Sequence, residues 1–178
     1  MSRIGKRPIP FGPKVEVSLT GNVVRVKGPR GTLEQTIPPS LNVRVEKNVI
    51  IVERKDDEKK TRALHGLYRM LINNMVIGVT DGFTKILEVK GTGYKFEQKG
   101  NKISFALGFS HPVEMEIPKG ITAEVKQNEI TLTSADKQLL GDFAAKIRVL
   151  RPVEPYKAKG ISYRGEIVRR KAGKAAAK

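Results

Sequence analysis

The chain has 178 residues, with 34 Lys or Arg against 18 Asp or Glu, a formal net charge of +16 at neutral pH. That excess is beyond what solubility asks of a small protein and implies an anionic partner, while the absence of cysteine excludes disulfides, zinc-thiolate sites and thiol nucleophiles. Six Phe, four Tyr and no Trp predict a mostly aliphatic core with few rings for a deep small-molecule pocket, and no signal-length or membrane-length apolar run occurs, so a soluble cytoplasmic protein is expected.

Residues 1–14 hold four basic groups and no acidic one and read as a basic N-terminal arm. From Val15 the apolar residues alternate, at Val15/Val17/Leu19, Val24/Val26, Val43/Val45 and Ile50/Val52, the period-two mark of half-buried antiparallel strands. Turn formers separate them at 20–22, 28–31 and 38–40. The period then lengthens, since Leu64, Leu67, Leu71 and Met75 recur at helical spacing behind the acidic Asp56 and Asp57. Residues 15–82 are thus expected to form a first αβ repeat domain.

Residues 79–90 lead into a second sheet through Phe83, Ile86, Leu87 and Val89. Alternation returns at Ile103/Phe105/Leu107, Val113/Met115/Ile117, Ile121/Ala123/Val125 and Ile130/Leu132, and a second helix is marked by Leu139, Phe143, Ile147 and Leu150 behind Ser134 and Asp136. The halves are copies of one another. Sliding the sequence by 80 places Gly28 on Gly108, Glu34 on Glu114, Ile37-Pro38 on Ile117-Pro118, Asn48 on Asn128, Ile50 on Ile130 and Asp56 on Asp136 without a gap, with apolar pairs such as Leu41/Ile121 and Leu67/Ile147. The expected fold is α+β, with two similar duplicated small domains at 15–82 and 83–150, each an antiparallel sheet arrangement packed on one helix.

Charge is unevenly spread. Residues 15–82 carry eleven basic and eight acidic groups and residues 83–150 ten and eight, whereas 151–178 carry nine basic and two acidic. With few apolar groups, 151–178 reads as a basic RNA-binding tail that orders only on its partner, so deleting 155–178 is expected to weaken binding and leave both domains folded. Such charge on Gly/Pro-broken ends, without a basic amphipathic helix, argues against a membrane role.

Catalytic groups are scarce. His65 lies in the first helix and His111 in a Ser-His-Pro turn, without metal-ligand spacing, and no nucleophile elbow or Ser-x-x-Lys element is present. The triplet Asp56-Asp57-Glu58 among lysines reads as a solvated helix start. No catalytic residue, metal or cofactor is assigned, and the chain is not expected to be an enzyme. Gly91-Thr92-Gly93 before Tyr94-Lys95 reads as a strand-connecting bend, with the alternative that its amides and Lys95 meet a phosphate of bound RNA. Residues 155–163 (PYKAKGISY) set Lys157 and Lys159 between Tyr156 and Tyr163, with Gly160 allowing close backbone approach and Arg164 following. Cations neutralise phosphates and tyrosine rings stack or donate hydrogen bonds.

The stretches MSRIGK, KGPRGTL (27–33), HGLYRMLINNMVIGVTDGF (65–83), GFSHPVE (108–114), ADKQLLG (135–141) and RPVEPYKAKGISY (151–163) resemble, from end to end, the bacterial-type L-six family of large-subunit ribosomal proteins. The last resembles that family's signature, with Val153 where it has proline, Ala158 where it has glycine and Ser162 where a basic residue is common. Alanine at 158 fits extended backbone but not a strongly positive φ. The resemblance implies a two-domain protein of the ribosome that binds large-subunit ribosomal RNA, beside neighbouring large-subunit proteins and close to where translational GTPases dock. It implies no small-molecule substrate. Carried to this chain, it assigns RNA contacts to Tyr156, Lys157, Lys159, Gly160, Tyr163 and Arg164, then to Gly91, Gly93, Tyr94, Lys95, Arg3 and Lys6; Arg169, Arg170 and Lys171 are added on charge alone. A DNA-binding architectural protein and an RNA-processing enzyme are the rival classes, and neither has a supporting motif.

Overall fold

Alternating segments become strands, and each ends where the turn residues fall. The computed structural model describes residues 4–173. The chain divides into two compact units, the first reaching Phe83 and including Ala135–Lys137, the second comprising Thr84–Ser134 and the chain from Gln138.

In the first unit, β2 (Glu16–Thr20), β3 (Val23–Gly28) and β4 (Gly31–Thr36) form an antiparallel meander. Val24 and Val26 of β3 are fully buried, while Arg25 between them turns outward and pairs with Glu34 directly across the ladder. β5 (Leu41–Glu46) and β6 (Val49–Arg54) form a hairpin, to which β1 (Ile9–Pro10) adds along β6. The helix α1 (Lys59–Thr80) closes the unit, burying Ile72, Met75, Val76 and Val79 with Val24, Val26, Ile37, Ile50 and Val52 in one core.

The second unit has β7 (Phe83–Lys90), the meander β8 (Lys95–Lys99), β9 (Lys102–Ala106) and β10 (Val113–Glu116), then β11 (Ile121–Lys126), β12 (Glu129–Ser134), α2 (Lys137–Leu150) and β13 (Gly160–Tyr163). Strand order is β10-β9-β8 in one sheet and β11-β12-β7-β13 in the other. Phe96 and Phe105 meet edge to face at 5.5 Å in its core, which also holds Leu87, Ile103, Ile130, Leu132, Leu140 and Ile147.

The duplication is visible element by element. β5 and β11, like β6 and β12, occupy the same positions 80 residues apart, with the same inside-outside alternation in β5 and β11. The gapless match fails in the helices. α2 buries Leu140, Phe143, Ala144 and Ile147, and α1 buries Thr61 and His65 while leaving Leu67 52% exposed. Thr61 thus answers Leu140 and His65 answers Ala144, an offset of 79, because the link from strand to helix is shorter in the second copy, residues 135–136 against 55–58 in the first. The expected Leu67/Ile147 equivalence is therefore corrected, as is the place of Leu67 on the apolar face of α1: of the expected residues Met75 is buried and Leu64 packs on the core, and Thr61, His65, Ile72 and Val79 are buried with them. In α2, Leu140 takes the place expected of Leu139.

Both expected chain ends are also corrected. Ile9, placed by sequence in a basic arm, is 1% exposed and paired with Ile50, and Arg69 donates to the carbonyls of Arg7 and Pro8. Residues 160–163, placed in an extended tail, form β13 against β7, with Ile161 fully buried. The buried Ile161, the ladder to β7 and the ion pairs of Arg164 together order a segment whose composition is otherwise polar.

Candidate nucleic-acid interface

Gly160 begins the site. Its φ is +136°, and a Cβ there would lie 2.6 Å from the Pro152 carbonyl oxygen, so only glycine lets β13 leave the loop this close to the preceding chain. The loop then closes on itself. Ile161 N–H donates to Arg151 O at 2.8 Å, Glu154 N–H to Lys159 O at 2.8 Å and Ala158 N–H to Glu154 O at 3.0 Å. The close approach expected at Gly160 is thus made to the chain's own backbone.

Ala158 stands in this loop at φ +55°, in the left-handed region, not extended as expected of alanine. Closing the loop through the Ala158 amide imposes that conformation, which costs an L-residue roughly 1–2 kcal/mol. Ala158→Gly is therefore expected to stabilise the second unit by about 0.5–1 kcal/mol after allowing for the freer unfolded chain. Denaturant titration measures it, and an unchanged or lower midpoint would count against the strain.

On this braced loop Tyr156 is 53% exposed, and Lys157 and Lys159 are exposed. Lys171 N–H donates to Pro155 O at 3.0 Å, which lays the segment carrying the exposed Arg169, Arg170 and Lys171 beside the loop. Among the described residues none of these five cations has a carboxylate partner, whereas Arg148, Arg164, Lys90, Lys95 and Lys102 of the same unit all do. Five uncompensated charges therefore share one surface.

Other expected contacts are committed internally. Arg164 donates to Glu88 at 3.1 Å and pairs with Glu129, and its backbone N–H reaches Ile86 O. The Tyr163 ring has the Lys85 ammonium over it at 5.3 Å and the Arg148 guanidinium at 5.7 Å, and the Tyr163 backbone N–H donates to Glu166. Both residues clasp the C-terminal strand to its sheet. Gly91–Tyr94 forms the turn from β7 to β8, and Gly91 is needed there because a Cβ would press on the Tyr94 ring at 2.5 Å. Gly93 is exposed at φ +76°, and Lys95 pairs with Glu97 at 2.6 Å, which lowers the Glu97 pKa. Lys6 is exposed at a cavity lined by Ile51–Arg54 and His65; Arg3 lies outside the described residues.

Arg148 and Glu166 form a two-bonded ion pair, and hydrogen bonds from Arg148 and from the Tyr163 N–H lower the Glu166 pKa. A carboxylate depressed in the folded state adds stability that is complete above its unfolded value, about 4.3, and is lost as pH falls through the folded one. The second unit is thus expected to lose stability on acidification below that value, and Glu166→Gln to flatten this part of the curve. Identical pH profiles for the two proteins would contradict it.

The histidines find structural settings. His65 is buried and its Nε2–H donates to Val52 O at 2.8 Å, with Gly5 packed on the ring, and His111 is exposed in its turn. Asp56 accepts the Glu58 N–H at 3.0 Å and Asp57 pairs with Arg54, both at the exposed start of α1. Among the described residues no group of three or more His, Asp or Glu could hold a metal, and no helix is long and apolar enough to cross a membrane. Sequence reasoning missed Arg151 and Phe109, which meet across 42 positions: the Arg151 guanidinium lies over the Phe109 ring at 5.4 Å and over that of Tyr94 at 5.9 Å.

A duplicated α+β build that displays cations on a braced loop defines the class, a small basic protein of two similar domains with one charged surface. The family model described as ribosomal protein L6 matches residues 11–82 and 90–164, one stretch per copy. The chain is 56% identical over 180 residues to the large ribosomal subunit protein uL6 of Dictyoglomus thermophilum, covering all of both chains. It is 54% identical to that of Clostridioides difficile over 98% of each. The chain belongs to the ribosomal protein L6 family.

Proposed function

We propose that the chain is a structural constituent of the large ribosomal subunit that holds large-subunit ribosomal RNA through the loop at 154–159 and the segment at 169–171, beside neighbouring subunit proteins and close to where translational GTPases dock. The observation that carries the RNA reading is the set of five exposed cations without carboxylate partners on two hydrogen-bonded segments. A preordered loop meets folded RNA without a large ordering cost, and recognition is of shape and phosphate, not of base sequence. The placement beside the GTPases rests on the family resemblance.

Sedimentation of cell extract through sucrose gradients tests the reading. The protein is expected to run with large subunits and whole ribosomes and to stay with them at moderate salt; finding it only at the top of the gradient would overturn it. Binding to deproteinised large-subunit RNA is expected to fall by roughly 10³–10⁵ between 50 and 200 mM salt if six to ten phosphates are engaged. Hydroxyl radicals generated from an iron chelate at position 157 are expected to cut RNA that a bound translational GTPase protects, and cuts confined elsewhere would remove the placement.

A further inference from the structure

Arg151 differs from Arg148 and Arg164 of the same unit. Arg148 and Arg164 spend their guanidinium groups on carboxylates, whereas Arg151 is exposed, has no carboxylate or other acceptor among the described residues, and lies 5.4 Å from the Phe109 ring and 5.9 Å from the Tyr94 ring. Cation–π contact holds the guanidinium in place and leaves its N–H donors unspent. Phe109 is 43% exposed at the tip of the 108–112 loop. That loop turns through Gly108 at φ +75°, where a Cβ would approach the Tyr94 ring to 3.1 Å, so the glycine seats it on the tyrosine. Beside Phe109 opens a cavity of about 310 Å³ lined by Lys95, Glu97, Lys99, Ser110 and His111, in which the Glu97 carboxylate is paired with Lys95 at 2.6 Å. Lys99 and His111 are exposed, and neither takes part in an ion pair among the described residues.

We propose that Phe109 and Arg151 form a stacking platform for one unpaired nucleobase of the bound RNA, with Lys99 and His111 receiving the adjoining phosphate. This rests on the RNA-binding reading and adds a site to it. A stacking face is of use only to a base outside a helix, because a duplex buries its base faces and offers grooves and backbone. The cavity lies at the low end of ligand-pocket volumes, room for a single nucleotide and not for a helix. An exposed phenylalanine adds nothing to phosphate contact, so a purely electrostatic surface would have no use for this ring in the midst of cations.

The test is binding of the full-length protein to deproteinised large-subunit ribosomal RNA over a salt series. Phe109→Leu keeps an apolar side chain without a π face, and Arg151→Lys keeps the charge without the plane. Each is expected to weaken binding about 5- to 150-fold, the equivalent of ~1–3 kcal/mol for one stacked base, without changing the salt slope. Lys99→Gln is expected to lower that slope by about one. Thermal unfolding midpoints matching the parent show that the variants are folded. Phe109→Leu and Arg151→Lys binding within twofold of the parent would overturn the platform and leave the RNA reading standing. A parent protein that does not bind this RNA would overturn both.

Discussion

A chain ending after Glu154 is expected to lose the cooperative unfolding transition of its second unit, whereas one ending after Val168 keeps it. The composition of 151–178 alone argues the opposite, that everything beyond Glu154 is expendable. The structure gives β13 three attachments. Ile161 is fully buried and belongs to the core, and deleting one such side chain costs about 2–5 kcal/mol. The β13 ladder runs from Gly160 opposite Lys90 to Tyr163 opposite Leu87, so its removal strips one edge of β7. Without Arg164, Glu129 loses its partner and Glu88 keeps only Lys90 at 3.9 Å, and without Glu166 the Arg148 guanidinium loses its carboxylate. A unit of this size is stable by only about 4–13 kcal/mol, at 0.05–0.15 kcal/mol per residue, so these effects together match or exceed the whole. Calorimetry of the two truncated proteins measures it. Retention of the second unit's transition at the parent temperature after truncation at Glu154 would show that β13 is an ornament on the sheet.

The same case shows what a sequence can and cannot reveal. Strands with one face in the core announce themselves by alternation, and β3, β5, β6, β9, β11 and β12 are all legible from their Val, Ile, Leu and Phe spacing. β13 is not, because its single fully buried aliphatic residue, Ile161, sits among residues that read as RNA-binding chemistry. β4 and β8 escape notice for a related reason: each offers one inward apolar residue, Leu33 and Phe96, and owes its strand form to the neighbour β3 or β9. In α1 the period is legible and the face is not. Apolar residues surround this helix, at Leu64, Leu67, Met70, Ile72, Val76 and Ile77, so several stripes fit the spacing, and the buried one includes Thr61 and His65, which a hydrophobic pattern passes over.

For the interface, charge locates the right segment but cannot sort it. Whether a cation is spent depends on acids that the fold brings in from afar, such as Glu88, 76 positions from Arg164. Lys157 and Lys159 look no different from Arg164 in sequence, yet two are displayed and one is a clasp. The resemblance to a family supplies the loop as a candidate; only distances separate its displayed residues from those that hold it together.

That separation carries the second large effect. Replacing Lys157, Lys159, Arg169, Arg170 and Lys171 together by glutamine is expected to lower the salt slope of binding to large-subunit RNA by about four to five, one for each phosphate that is no longer neutralised. Because electrostatic contributions vanish near 1 M salt, a slope difference of that size is about 10⁴–10⁵ in affinity at 0.1 M. The fold is expected to survive, since all five side chains are exposed and the hydrogen bonds that hold the two segments here use only backbone groups, the Lys159 carbonyl and the Lys171 amide. Net charge alone would predict weaker binding wherever cations are removed, so the comparison is Lys119, Lys126 and Lys146, exposed on the same unit but away from the loop in sequence, replaced in the same way. If position matters, this control keeps a slope near that of the parent while the five-residue variant does not. If each glutamine lowers the slope equally in both proteins, the RNA senses the overall field of the protein, and the braced loop is not where it binds.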